Sequence, residues 1–218
     1  MNNTVDYEKL LSATYETLFM TISSTIATFI LGIIIGVGLF LTGQGQSLQN
    51  KPLYSILAVF VNVFRSIPFI ILLVLLLPLT KILVGSIIGA KAALPALIIG
   101  AAPFYGRMVE LALREVDKGV LEAATAMGAN IFTTIRKVLL PEAMPALISG
   151  ITVTAVSLVG FTAMAGIIGA GGLGSLAYQE GFQRGNEAMT WAATAIILVI
   201  VFIIQYFGDY VVKRTDKR

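Results

Sequence analysis

The sequence predicts an all-α integral membrane protein with five transmembrane helices, and three observations carry that prediction. Only 12% of the residues are charged, 57% are hydrophobic, and the mean hydropathy is +0.89; soluble domains carry about 25% charged residues. Apolar runs near the roughly 20 residues that a bilayer core requires recur at about Phe19–Leu41, Leu53–Leu79, Ala92–Leu113, Ala143–Gly169 and Ala188–Val212. The connections between them leave no room for a soluble domain, so residues 1–218 read as a single transmembrane domain.

The first run is too long for a signal-peptide core and lacks the basic flank of one, so it reads as a true span. The second contains Arg65 and Pro68. We read Leu53–Phe64 as lying shallowly, with the deeper crossing beginning near Pro68, because a proline can interrupt a span where neighbours satisfy the freed carbonyl. Arg65-Ser66-Ile67-Pro68 fits a functional kink and an interfacial anchor equally well. In the third run the uncharged stretch Ala92–Gly106 covers only about 22 Å at 1.5 Å per residue. That helix must therefore continue past Arg107 and Glu110, with Glu110 and Arg114 expected as a surface i,i+4 pair. The fourth run, Ala143–Gly169, carries no charge, and neither does the fifth from Ala188 as far as Phe207.

Lysine and arginine placement orients the chain. With the amino terminus outside, Lys51, Arg65, Arg107, Arg114, Lys118, Arg136, Lys137, Lys213, Arg214, Lys217 and Arg218 fall on the cytoplasmic side. Only Lys9, Lys81, Lys91 and Arg184 fall outside, which accounts for all 15 basic residues. The expectation is an external amino terminus, a cytoplasmic carboxyl terminus and a cytoplasmic loop at about residues 114–141.

That loop holds Glu122-Ala123-Ala124, then Gly128, then Val138-Leu139-Leu140-Pro141. The Ala- and Glu-rich run Val120–Met127 favours a helix, with Glu122 near its positive end. Ala123, Ala124 and Ala126 keep its surface low, and Gly128 supplies the freedom of a C-cap. Asn130 is suited to cap a second helix, Ile131–Leu140, and Pro141 suits the first turn of the helix that follows. The pattern E-A-A-x-x-x-G-x9-V-x-L-P resembles the signature of permease subunits of bacterial ABC importers, with Val138 where isoleucine is usual. The resemblance implies a docking surface for a separate ATPase made of Glu122, Ala123, Ala124, Gly128, Val138, Leu140 and Pro141.

A wider set of segments sharpens this. Arg65–Leu73, Gly100–Tyr105, Leu113–Gly119, Ala163–Gly166, Gly171–Gly174 and Gly181–Arg184 stand in order along the chain and resemble the permease of the methionine-import ABC transporter family. That likeness implies a type I importer fold in the bacterial cytoplasmic membrane and methionine uptake by a homodimeric permease. It also implies two ATPase subunits that hold ATP and Mg²⁺, and a substrate-binding lipoprotein at the outer face. No cofactor or metal is expected in this chain, and no nucleic-acid partner. Specificity in such systems usually resides in the binding protein, so another small amino acid or a peptide stays open as the solute.

Other features narrow the function. Cysteine and histidine are both absent, which excludes disulfides, Cys/His metal sites and Ser–His catalysis. No acid lies at depth to serve an aspartyl protease or an ion-coupled carrier, and no G-x-x-x-x-G-K-[ST] sequence occurs, so an enzyme and a secondary carrier are both disfavoured. Gly169–Gly174 fits G-x-G-x-x-G, but it follows a span and not a strand, so a tight turn or close packing is expected. Gly32, Gly36 and Gly38 suit close helix approach. Thr154, Ser157, Phe161 and Met164 share one face of the fourth span; a solute path and ordinary bundle packing explain that face equally well.

Overall fold

The computed structural model describes residues 4–216, so Lys217 and Arg218 of the basic tail lie outside the described residues. Helices joined by short turns, with no strand among the described residues, make up the fold. Helices α1 (Tyr7–Thr42), α5 (Ala90–Arg114), α8 (Leu140–Ala165) and α10 (Glu187–Thr215) form the bundle. Between them lie α2 (Lys51–Ser66), α3 (Phe69–Leu75), α4 (Leu77–Val84), α6 (Lys118–Ala126), α7 (Ile131–Thr134) and α9 (Gly172–Leu176). Among the described residues, four helical stretches are long and apolar enough to cross a membrane, and the bent pair α2–α3 makes a fifth if it is counted as one span. The molecule thus has an α6–α7 end and an α9 end.

The bent pair revises the expected second span. Helices α2 and α3 meet at 106° around Ile67-Pro68 instead of forming one rod over Leu53–Leu79. Ile67 is extended, as a residue before proline prefers, and the chain re-enters a helix after Pro68. A second interruption at Leu76 precedes Pro78, which has no amide hydrogen to give. The first span, in turn, is extended at its start by about three turns, with Asp6 capping the Lys9 amide.

Close approach of α1 and α5 builds the centre of the bundle. A Cβ at Gly32 would strike Tyr105, and one at Gly36 would strike Val109 and lie 2.6 Å from the Gly106 carbonyl. Two of the three glycines noted in the first span therefore serve packing within the chain, as membrane helices without a hydrophobic drive require. Gly38 has only Leu57 nearby. Tyr105 then ties this pair to α8: its ring stacks on Phe29 at 5.9 Å, and its hydroxyl donates to the Leu147 carbonyl at 3.1 Å.

Glu110 is not the surface partner the sequence suggested. It is fully buried, accepting from Arg107 at 2.5 Å, from Arg114 at 2.8 Å and from the Tyr54 hydroxyl at 3.2 Å. Two arginines one turn to either side on α5 satisfy the carboxylate, and Tyr54 fastens α2 to the same group. A buried charge requires such partners.

At the α9 end, Gly169, Gly171 and Gly172 all have positive φ (101°, 82° and 81°) and reverse the chain. Gly174 passes so close to Ala163 that a Cβ would lie 2.5 Å from its carbonyl oxygen. The expected turn and the expected packing are both present. Helix α9 receives side chains from α1 at its first turn: the Gly172 amide donates to Glu16 at 2.6 Å and the Leu173 amide to Thr17 at 2.9 Å. Exposed aromatic residues flank both ends, with Tyr7, Tyr15, Phe182 and Trp191 near α9 and Tyr206 and Tyr210 toward the other, as membrane interfaces favour.

Candidate functional site

Two features stand out: a helical loop at one end and a cavity within the bundle. The loop begins at Asp117, whose carboxylate accepts from the Gly119 amide at 2.6 Å. Helix α6 therefore starts at Lys118, ahead of the expected Val120. It ends as its glycine predicts. Gly128 has φ 78°, its amide donates to the Thr125 carbonyl at 2.9 Å, and the Ala129 amide donates to Ala124 at 3.1 Å. These two bonds form the Schellman arrangement that closes a helix. Asn130 then caps α7 by accepting from the Thr133 amide at 2.8 Å.

The expected second helix, Ile131–Leu140, is instead one short α-turn followed by a π-helical turn, Ile135–Leu139, that runs into α8. The Leu140 amide donates to the Ile135 carbonyl. Pro141 lacks an amide hydrogen and would crowd the carbonyl four residues back; a wider π turn accommodates it without breaking the rod. Residues 131–167 are consequently one continuous helical stretch that includes both loop and span, and it ends at a kink where Ile168 and Gly169 leave helical geometry.

The loop residues divide by exposure. Glu122, Ala123, Gly128 and Pro141 face outward, and Val138 and Leu140 are half-buried. Ala124, at 3% exposure, packs inward. Two residues were missed. Met127 is 82% exposed and Phe132 70% exposed, apolar side chains left bare on either side of the Gly128 turn. Their signal was a large hydrophobe flanking a helix break in a polar loop.

The cavity, about 510 Å³, lies where α2, α3, α5 and α8 converge. Thr154, Ser157 and Phe161 line it together with Asn62, Arg65 and Ser66 from the bend. Phe161 stacks on Phe69 with centroids 4.4 Å apart, and the Arg65 guanidinium carbon sits 5.6 Å from the centroid of the Phe104 ring. Thr154 and Ser157 donate to their own helix at Gly150 and Val153, at 2.8 and 2.9 Å. Met164 does not line this cavity; it is 44% exposed on the bundle surface. The α2–α3 bend thus joins the polar stripe, which the sequence alone did not foretell. Among the described residues, no group of His, Cys, Asp or Glu is arranged to hold a metal ion.

Comparison with known proteins decides the family. The model of the binding-protein-dependent transport system inner membrane component matches residues 28–217. The chain belongs to this family. Like other inner membrane components of binding-protein-dependent transport systems, it is a multi-pass membrane protein. It is 61% identical over 214 residues to the methionine import system permease protein MetP of Bacillus subtilis, covering 98% of this chain and 96% of that one. It is 46% identical over 207 residues to the probable D-methionine transport system permease protein MetI of Haemophilus influenzae, covering 95% and 97%.

Among solved structures, a chain of the inward-facing MetNI methionine ABC transporter superposes with a TM-score of 0.94. That chain is 44% identical, and the match covers 96% of this chain and 97% of that one. A 20% identical chain from an amino acid ABC transporter with histidines shares the fold, at a TM-score of 0.77. The inner membrane component is therefore a type I importer permease in fold, as the wider set of matching segments implied.

Proposed function

We propose that this chain is the path-forming permease of an ATP-driven methionine importer, working as a homodimer on two ATPase subunits and receiving solute from an extracytoplasmic binding lipoprotein. The observation that carries the reading is a single one. A partner-facing loop and a path-lining stripe belong to one continuous helical stretch, residues 131–167. Methionine rests on the names of the similar permeases, which span nearly the whole chain.

In this reading the amino terminus faces outward and the α6–α7 end faces the cytoplasm, because basic residues concentrate there. Glu122, Ala123, Met127 and Phe132 seat in a cleft of the ATPase, and Gly128, Val138, Leu140 and Pro141 hold the loop in shape. ATP and Mg²⁺ belong to that partner. The cavity walled by Thr154, Ser157 and Phe161 is part of the solute path. Met164, exposed in one chain, meets the second copy at the two-fold axis. The partner's cycle drives transport; the buried carboxylate of Glu110 is held by Arg107 and Arg114 and is not free to relay ions.

The test is reconstitution in liposomes with the ATPase and a methionine-binding lipoprotein. Purification yields two copies of each chain, and uptake of methionine requires all components and ATP. Transport by the permease alone would overturn the coupling reading; ATP-dependent uptake of another solute with none of methionine would overturn the substrate. Cysteines at Phe161 and Met164 are expected to cross-link between copies in one nucleotide state only.

A further inference from the structure

We propose that Arg65 is the solute-carboxylate contact of the central cavity, and that the cavity recognises a zwitterionic amino acid with an apolar side chain. The inference rests on the cavity being part of the path. An arginine within an apolar stretch is costly unless it meets water, a partner or a ligand. Among the described residues, no ion pair engages Arg65, whereas Arg107 and Arg114 share Glu110 and Arg184 holds Glu180. Its guanidinium lies over the face of Phe104, which orients the group but leaves its hydrogen-bonding edge free.

The rest of the wall completes the complement. Thr154 and Ser157 donate their hydroxyl hydrogens to their own helix, which leaves their oxygens with lone pairs for an ammonium group. Ser66 likewise donates to the Asn62 carbonyl at 2.8 Å. Phe69, Phe104 and Phe161 supply apolar and aromatic surface, which suits an aliphatic or thioether side chain. No acidic residue lines the cavity. A solute with a second positive charge would meet Arg65 unscreened, whereas a carboxylate gains a forked pair of charge-assisted hydrogen bonds. About 510 Å³ is within the size of small-molecule sites.

The experiment uses the complete transporter in liposomes and photo-methionine, a diazirine amino acid that keeps both charged groups. Irradiation followed by peptide mapping is expected to label the cavity walls around Phe69, Phe104 and Phe161. Methionine should compete with the label, and 3-(methylthio)propylamine, which lacks the carboxylate, should not. R65Q should lower labelling about tenfold, the loss of one charge-assisted contact, while R65K retains part of it. Equal competition by the amine in the wild-type protein would overturn the proposal without recourse to any variant, and so would undiminished labelling in R65Q. An R65Q defect that vanishes in vesicles free of anionic phospholipid would identify Arg65 as a headgroup anchor instead. A wild-type cavity that takes no label during active uptake would refute the path reading itself.

Discussion

Gly128 offers the sharpest perturbation of coupling. Its φ of 78° lies in the left-handed region, and a Cβ there would meet nothing within 4 Å. A substitution therefore acts through the backbone alone, not through a clash. A non-glycine residue in this conformation costs about 1–2 kcal/mol, a factor of roughly 5–30 in the population of the native turn. Asparagine tolerates the conformation best among the alternatives, and a β-branched residue least. The expected order of solute-stimulated ATP hydrolysis in proteoliposomes is wild type, Gly128→Asn, Gly128→Ala, then Gly128→Val. Membrane insertion and dimer formation should stay normal, because both closing bonds, Gly128 to Thr125 and Ala129 to Ala124, lie within the loop. Wild-type hydrolysis and uptake in Gly128→Val would show that the turn does not position the docking surface. A ranking by side-chain size, with Asn no better than Ala, would refute the backbone argument.

Other outcomes follow from contacts already described. Glu110→Ala leaves Arg107 and Arg114 facing each other without their shared carboxylate and should destabilise the bundle by about 3 kcal/mol, the low end for a broken buried pair because both arginines are partly exposed; thermal unfolding in detergent measures it. Gly174→Val must displace the Ala163 main chain and should cost about 1–3 kcal/mol or more, read as a loss of folded protein after extraction from the membrane. At the α9 end, the hydrogen bond from Lys9, with Arg184 adding to it, holds the Glu180 carboxyl below its ordinary range. A depressed carboxylate pKa gives stability that is full above the unfolded value and disappears as pH falls through the folded one. Hydrogen exchange over Ala177–Gln183 should therefore quicken on acidification below the ordinary carboxylate range, and E180Q should remove that step; a pH profile unchanged by E180Q would refute the link.

The parts legible in the sequence were those that local chemistry decides. Gly128 and Asn130 end and begin helices through bonds to neighbours within five residues, so residue type sufficed. Pro68 announced a break, but a proline does not specify the angle of the bend, which is 106°. Glu110 read as a surface residue because i,i+4 spacing identifies a partner and not a face. The Tyr54 contact that helps bury it comes from 56 residues away. Ala124 differs from Ala123 only in facing inward, which composition cannot express. The π turn before Pro141 left no trace that helix periodicity would register. The cavity needed three separate segments, the α2–α3 bend, α5 and the α8 stripe, and no local pattern in any of them tells which others it meets.

The continuity of residues 131–167 has a mechanical consequence. At 1.5 Å per residue, the 29 steps from Phe132 to Phe161 span about 44 Å, so a tilt of about 10° at the exposed end moves the far one by about 8 Å. That arc exceeds the width of the stacked pair formed by Phe69 and Phe161, whose centroids lie 4.4 Å apart. A lever of this length gives a small rotation at the membrane surface enough travel to unstack the two rings. The π turn is wider than the α-helix on either side of it and lies next to the base, where stiffness matters most. Insertion of a single residue there would change the phase of everything above it by about 100°, turning the stripe away from the cavity while leaving the loop intact.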